Sequence, residues 1–224
     1  MPDAADLFAR PAPTMVTAAQ ALPGRPSPVL PRPTTNIALG TPLAGPWPDG
    51  TRQVYLAAGC FWGVEKLWWQ TPGVVGTAVG YMGGFTPNPT YEEVCTGRTG
   101  HAETVHVVYD PAVLTDEELF RRFWEMHDPT QGYRQGADVG TQYRSAIFWT
   151  TSAQQAAAER TGDVFAARLR AAGYGAITTA MAPADVPAPR GAGPFYLAED
   201  YHQQYLLKNP DGYCPVHATG VACR

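Results

Sequence analysis

The chain has 224 residues, 45% hydrophobic and 16% charged, with a formal net charge of −4 at pH 7. That is enough apolar material for a sizeable core under a lean surface charge, and the scattered acidic and basic residues form no basic stripe, which argues against a nucleic-acid partner. No apolar run approaches the length of a membrane span, and the acidic opening "MPDAADLFARPAPTM" lacks the basic and apolar regions of a secretory signal, so a cytoplasmic location is expected.

In chain order, residues 1–50 hold 11 of the 22 prolines, densest in "LPGRPSPVLPRPTT". Proline removes amide donors and biases its predecessor away from helix, so this stretch predicts an extended arm, not a second core. From Thr51 the pattern becomes domain-like. "RQVYLAAG" predicts a buried strand, and "CFWGVEKLWWQ" a helix with Phe61, Val64, Leu67 and Trp68 near helical spacing, stopped by "TPG". "VVGTAVGYMGG" reads as a strand ending in glycine turns, and "HAETVHVVYD" as a strand of alternating character. "LTDEELFRRFWEMHD" is the clearest helix: Thr115 and Glu118 predict a capping box, and Leu119, Phe120, Phe123 and Trp124 its core face. "QYRSAIFWT" predicts a strand and "SAQQAAAERTGDVFAARLRAAG" a long helix ending at Gly173. "AITTAMAPA" and "PFYLAED" predict strands, and "DYHQQYLLKN" a short last helix. No internal repeat occurs. The order β-α-β-β-α-β-α-β-β-α predicts one α+β domain, helices packed on a mixed sheet, over residues 51–208. The arm of residues 1–50 precedes it and a tail of residues 209–224 follows.

Four cysteines occur, Cys60, Cys95, Cys214 and Cys223. A chain this long needs no disulfide frame, and a reducing compartment leaves cysteines catalytic, metal-binding or buried. Cys60 stands between two glycines at a strand-to-helix junction, where free amides and the helix dipole favour thiolate. The residues alone leave open whether it is a buried filler or a nucleophile. Cys214 and Cys223 lie on a glycine-containing tail and could relay oxidising equivalents by thiol–disulfide exchange. Cys214, His217 and Cys223 could also offer zinc ligands, but no CxxC pair and no fourth ligand accompany them, so no metal is expected. Cys95 in "EEVCTG" is expected to be buried. Glu103 in "GHAETVHVVYD" has apolar neighbours. It is either solvent-facing or a carboxyl of raised pKa able to donate a proton near neutral pH. "QGADVGTQYRS" offers Asp138 and Tyr143, and "NPTYEEV" offers Tyr91, on loops beside strand ends. Trp68, Trp69 and Trp124 read as core; His101, His106 and His127 show no metal spacing; His202 in "AEDYHQQY" is either a surface residue or part of a site wall.

Taken together, "GCFWG", "GYMGGFTPNPTYEEVCTGRTGHAE", "GTQYRSAIF" and "AEDYHQQYLLKNPDGYC" resemble the A-type peptide methionine sulfoxide reductases over about residues 52–214. "ALPGRPSPV" in the arm resembles the N-terminal segment of that family's longer members. The resemblance implies an α+β fold, a two-layer domain with a mixed sheet and packed helices around a ferredoxin-like core. It implies that Cys60 attacks the sulfoxide sulfur and that Glu103 protonates the sulfoxide oxygen, helped by Tyr91 and Tyr143. Asp138 would hold the substrate through its backbone, and Phe61 and Trp62 would receive the methyl group. The S epimer, free or in oxidised proteins, would leave a sulfenic acid on Cys60, resolved by Cys214, then Cys223, then thioredoxin. No metal or organic cofactor and no partner copy is implied. Three departures stand out. Ala137 replaces the family's usual asparagine, "PVHATGVA" between the tail cysteines is poor in glycine, and Cys223 is followed only by Arg224. Other readings are a thiol peroxidase using Cys60, a cysteine acyl-transfer enzyme, for which no histidine base is evident, and an inactive relative, against which the intact set of Cys60, Glu103, Tyr91 and Tyr143 argues.

Overall fold

The apolar run after Thr51 forms strand β1 (Arg52–Ala58), and the helix-spaced run after Cys60 forms α1 (Phe61–Trp69), in a computed structural model that describes residues 12–187, 190–214 and 217–223. Strand β2 (Val74–Met82), helix α2 (Tyr91–Cys95), strand β3 (Ala102–Tyr109) and helix α3 (Asp116–Glu125) follow. A two-residue pair, β4 (Arg134–Gln135) and β5 (Asp138–Val139), precedes β6 (Ser145–Trp149) and the long α4 (Ser152–Ala171). Strands β7 (Ala180–Pro183) and β8 (Tyr196–Leu197) and helix α5 (Tyr205–Lys208) complete the chain. The acidic opening (residues 1–11), Pro215 and Val216 beside Cys214, and Arg224 lie outside the described residues.

The main sheet has the order β7-β6-β1-β3-β2-β8. Every neighbouring pair is antiparallel except β6 with β7, so the sheet is mixed. Its β1-α1-β2-β3-α3-β6 core, with strand order β6-β1-β3-β2, is the ferredoxin-like arrangement. Leu56 in central β1 lies opposite Val105 on one side and Ile147 on the other. With Phe61, Trp68, Phe120, Phe123 and Trp124 these residues make the larger apolar cluster. Ala57, Met82, Ala102, Ala146 and Phe148 form a second cluster with Ala184, Ala192 and Phe195. Strand β3 is therefore buried at every position, and the alternation expected from its sequence does not become a wet face.

Thr115 caps α3 by accepting a hydrogen bond from the Glu118 amide at 3.2 Å, a contact worth ~1 kcal/mol. Only half of the expected capping box forms, because the Glu118 carboxylate turns to Arg122 at 3.0 Å. Trp124 Nε1 donates to Thr161 Oγ1 at 2.9 Å and ties α3 to α4. Helix α2 is absent from the sequence expectation: it has five residues, too few for periodicity, and is set by the reciprocal cap of Thr90 and Glu93. The last helix covers only Tyr205–Lys208, shorter than "DYHQQYLLKN" suggests.

Residues 12–50 of the arm, extended apart from a 3-10 turn at Ala18–Gln20, lie against the body. Arg25 holds Glu93 with two bonds of 2.9 Å, Leu43 is buried, and the Trp47 ring lies edge-on to His106. Among the described residues no helix is long and apolar enough to cross a membrane.

Candidate active site

Strand β1 ends at Ala58 and α1 begins at Phe61, so two residues must redirect the chain. Gly59 does so at φ +97°, and a Cβ there would stand 2.7 Å from Gln135 Cγ, so only glycine fits. Cys60 follows as the N-cap of α1. Its sulfur is met by the amides of Trp62 and Gly63, which favour thiolate. Cys60 is, however, only 8% exposed. Burial first, and the Glu103 carboxylate second, push the thiol well above its ordinary value. This corrects the expectation of a ready thiolate: desolvating a sulfur anion costs more than two amides return.

Glu103 lies opposite Tyr81 in the β2–β3 ladder. It is 2% exposed, and its Oε2 accepts from the Phe61 N–H at 3.0 Å. Burial raises its pKa to about 8, against the opposing pull of the Phe61 amide. Near neutral pH the carboxyl is mostly protonated and can act as a proton donor. In that form it also stops repelling charge on Cys60.

Tyr91 opens α2, and its backbone N–H donates to Glu199 Oε1 at 2.9 Å. Burial raises the Tyr91 phenol, as do the charges of Cys95 and Glu103 nearby. Tyr143 ends the short turn Thr141–Tyr143; burial and then Glu103 raise its phenol too. Asp138 Oδ1 accepts from the Tyr213 hydroxyl at 3.1 Å, while its Oδ2 is buried without a partner among the described residues. Cys60, Glu103, Tyr91, Tyr143 and Asp138 thus converge from β1–α1, β3, α2, the 141–143 turn and β5.

The two aromatics after Cys60 part ways. The Phe61 ring is 1% exposed and packs against His202 and Tyr81 at centroid distances of 5.1 and 5.9 Å. Trp62 is half-buried, stacks on Tyr205 at 3.8 Å, and donates from Nε1 to His202 Nδ1 at 3.0 Å. Such a stack contributes ~1 kcal/mol beyond area burial. His202 is therefore a wall residue, neutral, with its proton on Nε2; burial lowers its pKa to about 4. Glu199 completes this wall, with Oε2 accepting from the Tyr81 hydroxyl at 2.9 Å. Sequence reasoning missed Glu199, Tyr205 and Tyr213. The available signal was the polar and aromatic density of "AEDYHQQY".

The remaining thiols also differ from expectation. Cys95 is exposed, not buried, and its side chain is turned toward the Tyr91 phenol. Cys214 is exposed beside Tyr213. Cys223 is 1% exposed, seated between α3 and α4. Its amide donates to Glu125 Oε1 at 2.6 Å and its thiol to the Thr161 carbonyl at 3.5 Å. Burial and then Glu125 raise this thiol to about 11. The tail end is thus docked between α3 and α4. His217 lies against Gly136, on the β4–β5 turn. Among the described residues no group of three His, Cys, Asp or Glu side chains could hold a metal ion.

The family model described as peptide methionine sulfoxide reductase matches residues 52–222. The peptide methionine sulfoxide reductase MsrA of Corynebacterium kroppenstedtii is 59% identical over 217 residues, spanning 96% of this chain and 97% of its own. MsrA 1 of Caulobacter vibrioides is 56% identical over 209 residues, spanning 93% and 92%. The structure of methionine sulfoxide reductase A of Corynebacterium diphtheriae superposes with a TM-score of 0.81 at 54% identity, covering 94% of this chain and 98% of that one. Mxr1 of Saccharomyces cerevisiae in reduced form gives 0.65 at 37% identity, covering 77% and 94%. The match runs from the first residue of β1 into the tail beyond Cys214, and the chain belongs to the peptide methionine sulfoxide reductase family, oxidoreductases that return methionine sulfoxide to methionine.

Proposed function

We propose that this protein reduces the S epimer of methionine sulfoxide, free or within proteins, with Cys60 as nucleophile and Glu103 as general acid. The observation that carries this reading is Glu103: a buried carboxyl, raised to about 8, hydrogen-bonded to the first amide of the helix that Cys60 caps. Sulfoxide oxygen leaves poorly until it is protonated, and a positioned neutral carboxyl is the group that does this at pH 7.

In the first step Cys60 sulfur attacks the sulfoxide sulfur and Glu103 protonates its oxygen. Tyr91 and Tyr143 donate hydrogen bonds to that oxygen, and Asp138 orients the substrate through its backbone. Phe61 and Trp62 receive the methyl group, Trp62 as the wall and Phe61 from behind. Oxygen passes to Cys60 as a sulfenic acid and methionine leaves. Cys214 then attacks the sulfenic acid, releasing water and forming a Cys60–Cys214 disulfide. Cys223 exchanges into that disulfide and frees Cys60, and the dithiol of thioredoxin reduces the Cys214–Cys223 pair. The residues call for no metal or organic cofactor, and the protein acts as a monomer in a reducing, cytoplasmic compartment. Residues 51–208 hold the first step, 209–224 the recycling thiols, and 1–50 brace the body.

The test is thioredoxin-coupled NADPH consumption with separated sulfoxide epimers. Turnover should require the S epimer and vanish in Cys60→Ser; a Cys60→Ser protein with undiminished turnover overturns the assignment.

A further inference from the structure

Glu65, in the middle of α1, has no exposed surface and no salt-bridge partner among the described residues. Its carboxylate accepts three hydrogen bonds. Oε1 takes one from Thr77 Oγ1 at 3.0 Å and one from Gln204 Nε2 at 2.8 Å, and Oε2 takes one from the Gln204 backbone N–H at 2.9 Å.

The directions of the two side-chain bonds are set from the arm. Asn36 Nδ2, a pure donor, gives to Thr77 Oγ1 and to the Thr77 carbonyl, both at 2.8 Å. The Thr77 hydroxyl proton is therefore left for Glu65. Gln204 Oε1 accepts from the Ile37 N–H at 3.3 Å, which turns the Gln204 amide nitrogen toward Glu65. Asn36 and Ile37 are neighbours, so the bonds close a ring through the arm, β2, α1 and the segment before α5. Only an acceptor on both oxygens at position 65 completes it.

The ring holds one backbone position that does not hold itself. Gln204 sits at φ 49° and ψ 43°, the left-handed region that a non-glycine residue adopts only when its surroundings impose it. It lies between His202 and Tyr205, the two residues that clamp Trp62. Gln203, next to it, is anchored separately, exchanging 2.9 Å bonds with the Val79 amide and carbonyl.

We propose that Glu65 is a positioning residue for the methyl pocket. Through Gln204 it sets His202 and Tyr205 against Trp62, and through Thr77 and Asn36 it makes the arm part of that wall. The inference rests on Trp62 being the surface that receives the sulfoxide methyl. Its consequence is selectivity: a wall held in place distinguishes a methyl from a larger alkyl group on sulfur, and one methylene in a fitted pocket is worth roughly 10- to 200-fold.

The experiment compares kcat and KM for methionine sulfoxide and its S-ethyl homologue in wild type, Glu65→Gln, Asn36→Ala, the double variant and Trp62→Ala. In Glu65→Gln an amide must face the Gln204 donors, and the methyl-over-ethyl ratio of kcat/KM should fall on the order of tenfold. The fall should come through KM, with single-turnover kcat changed little. Asn36→Ala leaves α1 and the wall residues intact and should lower the same ratio less, and the double variant should fall short of the product of the two. A folded Glu65→Gln with wild-type KM and ratio overturns the proposal, as does a double variant that is fully multiplicative. Should Glu65→Gln fail to fold, an unchanged ratio in Asn36→Ala overturns it. Trp62→Ala separates the two levels. A ratio lost there but kept in Glu65→Gln sinks only the positioning role, whereas a ratio kept in Trp62→Ala sinks the wall reading and the inference with it.

Discussion

Cys60 and Cys223 are both nearly without exposed surface, at 8% and 1%, and burial pushes both thiols upward. Their surroundings are otherwise opposite. Cys60 caps a helix, faces the amides of Trp62 and Gly63, and shares its site with a carboxyl that is mostly neutral at pH 7. Cys223 donates a hydrogen bond from its thiol to the Thr161 carbonyl and has Glu125 beside it. Burial with Glu125 opposes a thiolate there more strongly than Arg121 and Arg168 favour one. In the proposed mechanism one site prepares sulfur to give an electron pair and take up an oxygen; the other keeps a thiol protonated. In that mechanism the sulfoxide step runs on groups already held in place, while recycling through Cys223 would require the tail to leave its seat between α3 and α4.

The comparison breaks most sharply at Cys60. Cys60→Ser should abolish methionine formation from one equivalent of sulfoxide, while Cys223→Ser should form it at the wild-type rate. Chromatographic quantification of methionine distinguishes the two, and equal losses would erase the division of labour. Next in size is Glu103→Gln, expected to slow single-turnover reduction by ~10²–10⁴-fold. The acid is active when protonated and titrates at about 8. Wild-type kcat/KM should therefore decline as pH rises through about 8, and Glu103→Gln should lose that limb; an identical limb in the variant would move the acid elsewhere. Cys214→Ser should leave the sulfoxide step intact but consume one thiol per turnover in place of two, by thiol titration after one equivalent, and should fail under steady-state recycling. Glu125→Ala tests the seat. Losing a bond worth ~1 kcal/mol should raise Cys223 alkylation about fivefold without touching single-turnover reduction. The smallest effect belongs to the arm: Arg25→Ala removes a half-exposed pair with Glu93 and should lower unfolding free energy by ~0.5–1 kcal/mol with turnover unchanged.

Several of these features were legible in the residues and others were not, for identifiable reasons. Helix α3 could be read because Leu119, Phe120, Phe123 and Trp124 repeat with its turn behind a Thr115 cap, and α4 because it runs for 20 residues before the positive-φ Gly173. Helix α2 could not, since five residues hold no period. Cys95 was misjudged because cysteine is often buried, whereas its position on so short a helix leaves it at the surface, turned toward Tyr91. The apolar company of Glu103 was visible in "HAETVHVVYD", but its burial depended on which element packs over its own face of the sheet. Glu103 shares its face of the sheet with Val105 and Val107, and it is α1, 42 positions away in sequence at Phe61, that packs over it. Likewise His202 could have been surface or wall until the Trp62 indole was found donating to it across 140 positions.

By itself the sequence determined the local and chemical content of this protein. It specified a strand that turns into a helix at Gly59 and Cys60, an acid on a buried-type strand, tyrosines and an aspartate on loops, and two thiols near the end. Those follow from residue type, spacing and turn chemistry, which act over a few positions. Only the tertiary structure decided the strand order that brings Glu103 to the first amide of α1, the desolvation that lifts both Cys60 and Glu103, the seat of Cys223, and the ring through Glu65 that draws the arm into the wall behind Trp62. These depend on which distant segments exclude water from a given group. That is a property of the assembled packing, and no short window of sequence contains it.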